Sequence, residues 1–547
     1  MPRLRKVLLG DDCKATFNNP YGIRGRFARK SRRGKKVEMN MKKLRYCVDN
    51  EWIESRTDKY MPVMNPSTGE QMAETPCCTL EEVSSAVAAA ARAWPAWSST
   101  PIPLRIQVMF RFKQLLDAHL EELTVLLATE MGKVLDEARG DVLKAVEVVE
   151  CACSTHYLMQ GDTCMNVSVG YDTVSYREPL GVFVGIAPYN FPAMIPMGWM
   201  IPFAITTGNT FVLKAASMVP QTAMRMLELL IEAGLPKGVV NLVTCSRVEA
   251  ETLMTHPLVK GISFVGSASV GLHVYQTAAA AGKRVQALTE AKNHALVLKN
   301  CVLERTVRGI INSTYGCAGQ RCMALPGVCV EASIADEFVA MLTKFAKELR
   351  VGPAYLPQSQ LGPLVSAGQK DWVQNCIARG VDEGAELVLD GRNVYVSGYE
   401  GGYYVGPTIF DHVKPGSFVG EQEVFGPVTS IKRVKDFEEG LAIMNANEFA
   451  NGSAIYTQSG HYAREFARRS HGGMVGVNVG IPVPMAMFSF TGHKHSFFGD
   501  QHAVGLDGVR FFTETKTVTT HWFEDATTQA GVANTWDGMI SMPDDKR

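Results

Sequence analysis

The chain lacks a net charge: Lys+Arg and Asp+Glu are equal at 55 each over 547 residues. No overall field therefore draws it to nucleic acid or to an anionic membrane. It also lacks an apolar run of the roughly eighteen residues needed to cross a bilayer. The longest candidate, from Ala193 to Ile205, is interrupted by Pro196, Gly198 and Pro202. The thirteen cysteines form no CxxC ladder and no Cys/His spacing suited to zinc, so reduced thiols are the simpler reading and no metal site is expected. No G-x-G-x-x-G string occurs, since no two glycines stand two positions apart, and the usual dinucleotide fingerprint is missing. No internal repeat is visible.

What charge there is, is unevenly spread. Residues 1–45 hold fifteen Lys/Arg against three acids, a local net of +12. This stretch is poor in aliphatics, and folding is expected to begin near Leu44. An Arg-rich, acid-poor N-terminus suits a mitochondrial presequence; against this stand Asp11, Asp12 and the scarcity of serine. A solvated basic tail, or a true start at Met39 or Met41, is the competing reading, and the protein would then be cytoplasmic.

From Leu80 to about Cys153 the apolar spacing is helical. From Tyr171 to Leu298 short apolar runs such as GVFVGIAP, TFVLKA and GISFVG alternate with amphipathic helices, and a second alternation follows Cys322 in PGVCVEAS, AELVLDG and TSIKRV. Strands alternating with helices predict an α/β protein built on parallel, doubly wound sheets in two domains. Residues 163–176 alternate as a hairpin would, and Val509 to Thr520 reads as a terminal strand. Edge strands of this kind seldom stay unpaired, so an oligomer is expected.

The stretch Gly316-Cys317-Ala318-Gly319-Gln320-Arg321-Cys322 sets a cysteine behind a small-residue turn and beside a fixed positive charge. A free thiol titrates at about 8.5, and a neighbouring Arg lowers this, which makes Cys322 the expected nucleophile. Alone this is weak, because most cysteines are small buried hydrophobes. Three further segments strengthen it: GIAPYNFP at 185–192, FVGSASVG at 264–271 and EVFGP at 423–427. In this order and spacing they resemble the aldehyde dehydrogenase superfamily, over about residues 46–523. The strings GIAPYNFPAMIP, GKRVQAL, AKNHALVL, AGQRCMAL, VGVNVGIPVPMAMFSFTG and SFFGD resemble its acylating, coenzyme A-dependent branch, whose members act on methylmalonate and malonate semialdehyde.

The resemblance implies an aldehyde dehydrogenase-like fold: a Rossmann-like NAD-binding domain (44–160 and 180–290), a catalytic domain (291–507) and a β-arm for oligomerisation (161–179 and 508–522), between a basic N-terminus (1–43) and a tail (523–547). A homodimer or homotetramer is implied. Cys322 and Asn190 would be catalytic, the latter donating to the developing oxyanion. Ala187, Tyr189, Lys214, Ser217, Gly266, Ser267, Thr289, Glu423 and Phe425 match cofactor-binding positions. Ser217 stands where the family has a ribose-gripping Glu, so NADP is not excluded beside NAD. Leu288 stands where hydrolytic members carry their general-base Glu, which argues for coenzyme A as the acyl acceptor. Glu290, two residues on, lies where the family has a small residue; it is either a substitute base or a solvent-facing side chain. Arg321 and Lys144, the latter replacing a branch arginine, are the expected partners of an acid-semialdehyde carboxylate. The His/Phe-rich segment 491–500 is expected near the substrate and coenzyme A entrance.

Overall fold

Two large sheets organise the protein, and each arises where near-continuous apolar runs are buried on both faces. The computed structural model describes residues 41–168 and 170–522; the basic N-terminus and the tail beyond Trp522 lie outside them. The first sheet has eight strands in the order Glu51–Ile53, Tyr46–Val48, Val240–Val243, Thr210–Lys214, Val182–Ile186, Val259–Val265, Arg284–Leu288 and Phe497–Gly499. Its five central strands are parallel, and the edges are antiparallel. The chain winds outward in one direction from Val182–Ile186 and in the other from Val259–Val265. The carboxyl ends of these two neighbours therefore flank a topological switch point, where α/β sheets open a ligand crevice.

The second sheet has seven strands, in the order Glu386–Leu389, Thr408–Asp411, Val428–Val434, Gly327–Glu331, His294–Val297, Gly452–Tyr456 and Met474–Val477. All its pairs are parallel except the first. A third, antiparallel sheet joins Thr513–His521, Tyr171–Pro179 and Thr163–Ser168 into an exposed arm.

Two expectations are corrected. Val509 to Thr520 is not one strand: residues Gly505–Phe512 form a helix, and the strand begins at Thr513. Val509, Phe511 and Phe512 are fully buried at helical spacing, and both phenylalanine rings meet Phe183 edge-on; packing thus overrides β propensity. Second, Phe497–Gly499, inside the span assigned to the catalytic domain, pairs with Arg284–Leu288 of the first sheet.

Helices Leu120–Met131 and Leu135–Ala152 cover the first sheet near its switch point. Glu130, fully buried, accepts from the Gln221 and Thr222 N–H groups at 2.6 and 3.0 Å and from the Thr222 hydroxyl at 2.9 Å, capping the helix Gln221–Glu232. Lys133 and Asp141, with side chains wholly inaccessible, pair at 2.9 Å. The Lys133 ammonium also lies 3.3 Å from the Phe191 ring centroid, and Asp141 Oδ1 accepts from the Met194 N–H at 2.8 Å. The pair thereby fastens the 190–194 turn to the helical layer.

Replacing Lys133 with Met leaves the Asp141 carboxylate buried without its cation, a loss of about 3–5 kcal/mol. Urea unfolding should show a clearly lower midpoint for Lys133→Met, partly restored in Lys133→Met/Asp141→Asn, where the amide still accepts from Met194. Equal midpoints for wild type and Lys133→Met would contradict this role.

Candidate active site

A cleft of about 590 Å³ opens at the switch point. Its floor is Cys322 and Asn190, and its walls include Ala187, Tyr189, Lys214, Gly266, Ser267, Thr289, Glu423 and Phe425. Nearly all the residues singled out from the sequence thus face one cavity. Ser217 is not among the lining residues: it is buried in the turn after Lys214, which closes through a Val219 N–H to Ala216 carbonyl bond. Lys144 is also elsewhere, on the helix Leu135–Ala152, where its ammonium meets Glu147 at 2.7 Å and the Pro484 carbonyl at 3.3 Å.

The nucleophile loop is held by backbone strain and by buried carbonyl acceptors. Cys317, Ala318 and Gly319 all adopt left-handed φ values of 53°, 52° and 73°, a costly run for two residues with a Cβ. Glu137 supports it, accepting the Cys317 N–H with both oxygens at 2.8 and 2.9 Å. A Cβ on Gly319 would lie 2.0 Å from the Gly426 carbonyl oxygen; only glycine lets the Cys322 and Glu423 loops touch. The Cys322 carbonyl accepts from Asn293 Nδ2 at 2.9 Å and Asn451 Nδ2 at 3.1 Å. Asn293 also donates to the Ala324 carbonyl at 2.8 Å and accepts from the Gly452 N–H at 2.7 Å. Opposite, Gln369 and Trp372, three apart on the helix Ala367–Asp382, donate to the Phe425 and Val424 carbonyls at 2.9 and 3.1 Å.

Asn190, almost fully buried, donates from Nδ2 to the Gln320 carbonyl at 3.1 Å. The second hydrogen of that amide remains for a ligand oxygen. Tyr189 and Phe425 meet edge-on at 6.0 Å between centroids. The Thr289 hydroxyl is engaged with the His495 carbonyl at 2.5 Å, so this residue contributes wall rather than a free donor. His493, His495 and His502 make separate contacts with the His471 carbonyl, Glu448 and the Gly492 carbonyl. Among the described residues no group of three or more His, Cys, Asp or Glu side chains is arranged to hold a metal.

The electrostatics differ from the sequence expectation. Arg321 does not activate Cys322 directly. Its Nε donates to the Cys317 sulfur at 3.1 Å and its Nη2 meets Glu137 at 3.2 Å, so a substrate carboxylate would compete with an internal one. Burial, and then the nearby Glu423, push the Cys322 thiol up to about 12, against the N–H groups of Cys322 and Met323, which favour the thiolate. Glu423 is itself held well above the usual carboxylate range, first by burial and then by Glu290.

The residues present suit a dinucleotide. The helix Ala268–Ala280 begins at Ser267 in the cleft wall, where backbone N–H groups and the helix dipole favour a diphosphate. The Lys214 ammonium can donate to hydroxyls and the Glu423 carboxyl can hydrogen-bond to them. The signals for Glu137, Asn451, Gln369 and Trp372 are absent from any local motif, because their roles arise from contacts across 52 to 180 positions.

This geometry of cysteine, asparagine amide and switch-point cleft is that of an aldehyde-oxidising enzyme. The aldehyde dehydrogenase family matches residues 52–518, and the chain belongs to that family. Malonate-semialdehyde dehydrogenase 1 of Oceanobacillus iheyensis is 45% identical over 487 residues, 89% of this chain and all of the relative. Among solved structures, one from Sinorhizobium meliloti 1021, described as a methylmalonate-semialdehyde dehydrogenase complexed with NAD, superposes with a TM-score of 0.88 at 37% identity, covering 89% of this chain and 100% of its own. A methylmalonate-semialdehyde dehydrogenase from Oceanimonas doudoroffii gives 0.87 at 38% identity, with 89% and 99% covered.

Because the reactive form is the thiolate, a thiol titrating near 12 should alkylate about tenfold faster for each pH unit gained. Iodoacetamide labelling of Cys322 in the ligand-free protein, followed by peptide mass spectrometry from pH 7 to 10, should rise throughout. A plateau below pH 9 would contradict the assignment.

Proposed function

We propose that this protein oxidises malonate or methylmalonate semialdehyde with NAD and passes the acyl group to coenzyme A. Cys322 sulfur forms a bond to the aldehyde carbon, and the free N–H of Asn190 meets the oxygen that gains charge. NAD, when bound, supplies the hydride acceptor. Loss of hydride to NAD leaves a thioester on Cys322 whose β-carboxylate departs as carbon dioxide, the bond electrons flowing into the thioester carbonyl; the resulting enolate takes a proton from water at carbon. The coenzyme A thiolate then forms the new C–S bond as the bond to Cys322 breaks, giving acetyl-CoA or propionyl-CoA. Tyr189, Lys214, Gly266, Ser267, Glu423 and Phe425 would hold the dinucleotide. Arg321, next to Cys322 in the chain, would supply positive charge toward an acid substrate, although it already faces Glu137.

The observation that carries coenzyme A dependence is that position 288, where hydrolytic members carry their base, holds a leucine. Leu288 ends the strand Arg284–Leu288 opposite Phe497 and cannot accept a proton. Glu290 lies beyond the strand end, and its carboxylate is turned to the Ala268 N–H at 2.8 Å. A thiol brings its own nucleophilicity and needs no such base. The names of the relatives support the substrate class. The exposed arm, with Met165 80% and Val167 51% accessible, supports assembly through that sheet.

With NAD and malonate semialdehyde alone, NADH formation should stop at about one equivalent per active site as the acyl-enzyme accumulates. Added coenzyme A should restore steady turnover and yield a thioester. Sustained NADH release without coenzyme A, lost in Glu290→Gln, would instead make the protein hydrolytic.

A further inference from the structure

Two acids of the cleft wall, Glu251 and Glu290, have no task in the reading above; Glu251 is paired with His273 at 2.8 Å, which leaves Glu290. Its Oε2 accepts the N–H of Ala268 at 2.8 Å, the first residue of the thirteen-residue helix Ala268–Ala280, while Ser267 at the cap position makes no side-chain capping bond. Its backbone is fixed, because its carbonyl accepts the Ser496 hydroxyl at 2.7 Å, but its side chain is half-buried and borders open cleft. Glu130 shows what a structural cap looks like in this protein: fully buried, with three bonds to the residues whose helix it starts. Glu290 has one such bond and lines the cleft.

The amino end of a helix carries a partial positive charge and attracts one anion well. Here that position already holds a carboxylate of the chain itself. A dinucleotide brings a doubly charged diphosphate to the same N–H groups, and like charges brought that close repel. The carboxylate must then turn away into the cleft, or the diphosphate must sit off the helix end. We propose that Glu290 is an internal competitor of the cofactor diphosphate, a residue that weakens dinucleotide binding and so hastens its release. This rests on the dinucleotide reading of the cleft. Lys214, across the cleft, bears the opposite charge and is not expected to relieve the competition, because it lies at the end of a different strand, Thr210–Lys214.

Calorimetric titration of NAD, ADP and adenosine, with no aldehyde present, separates the parts. Glu290→Gln keeps an oxygen for the Ala268 N–H and removes only the charge; Glu290→Ala removes both. Both variants should bind NAD and ADP about tenfold more tightly than wild type, with adenosine unchanged because it lacks the diphosphate. Unchanged or weaker NAD and ADP binding in both variants would overturn the inference, as would equal tightening of adenosine. Absence of NAD binding in wild type and variants alike would overturn the cofactor reading together with it.

Discussion

The Cys322 carbonyl, gripped by the amides of Asn293 and Asn451, is the contact on which the rest of the site depends. Each asparagine immediately precedes a strand of the second sheet, His294–Val297 and Gly452–Tyr456, which are parallel neighbours. The reactive loop is thus tied to the amino ends of the second sheet and faces the carboxyl ends of the first. A buried carbonyl with two donors is satisfied, and a buried amide such as Asn293, with both its donors and its acceptor engaged, has one preferred orientation. The Gly319–Gly426 approach adds a steric limit, since any Cβ at 319 would separate the loops bearing Cys322 and Glu423. Left-handed residues at 317 and 318 are tolerated because this frame over-determines them.

The same enclosure sets the charge state of the site. Near the nucleophile the cations are met by internal carboxylates, Lys133 by Asp141 and Arg321 by Glu137. Burial first, and then the nearby Glu423, favour the Cys322 thiol over the thiolate. A thiol at rest resists oxidation and alkylation that a thiolate would suffer. Activation then depends on what enters the cleft, which couples the reactivity of the sulfur to occupancy.

Much of this was legible in the sequence, and the losses have physical causes. The two parallel sheets followed from alternating apolar runs, and Cys322, Asn190 and Glu423 followed from a family resemblance carried by contiguous strings. For Arg321, sequence proximity to Cys322 could not reveal its partner Glu137, 184 positions away. The terminal strand was misjudged because β-branched composition hid a helix whose Phe511 and Phe512 pack on Phe183. Asn293 lay within a recognised string, yet its clamp needs Gly452, 159 positions on.

The central claim is that this framed sulfur, and not the neighbouring Cys317, carries the acyl group. Protein incubated with NAD and malonate semialdehyde without coenzyme A, then quenched in acid and mapped by tandem mass spectrometry, locates the adduct directly. The account predicts a thioester-bound acyl group on Cys322, lost on adding coenzyme A and absent in Cys322→Ala. An adduct on Cys317, or an acyl-enzyme that forms in Cys322→Ala, would contradict it.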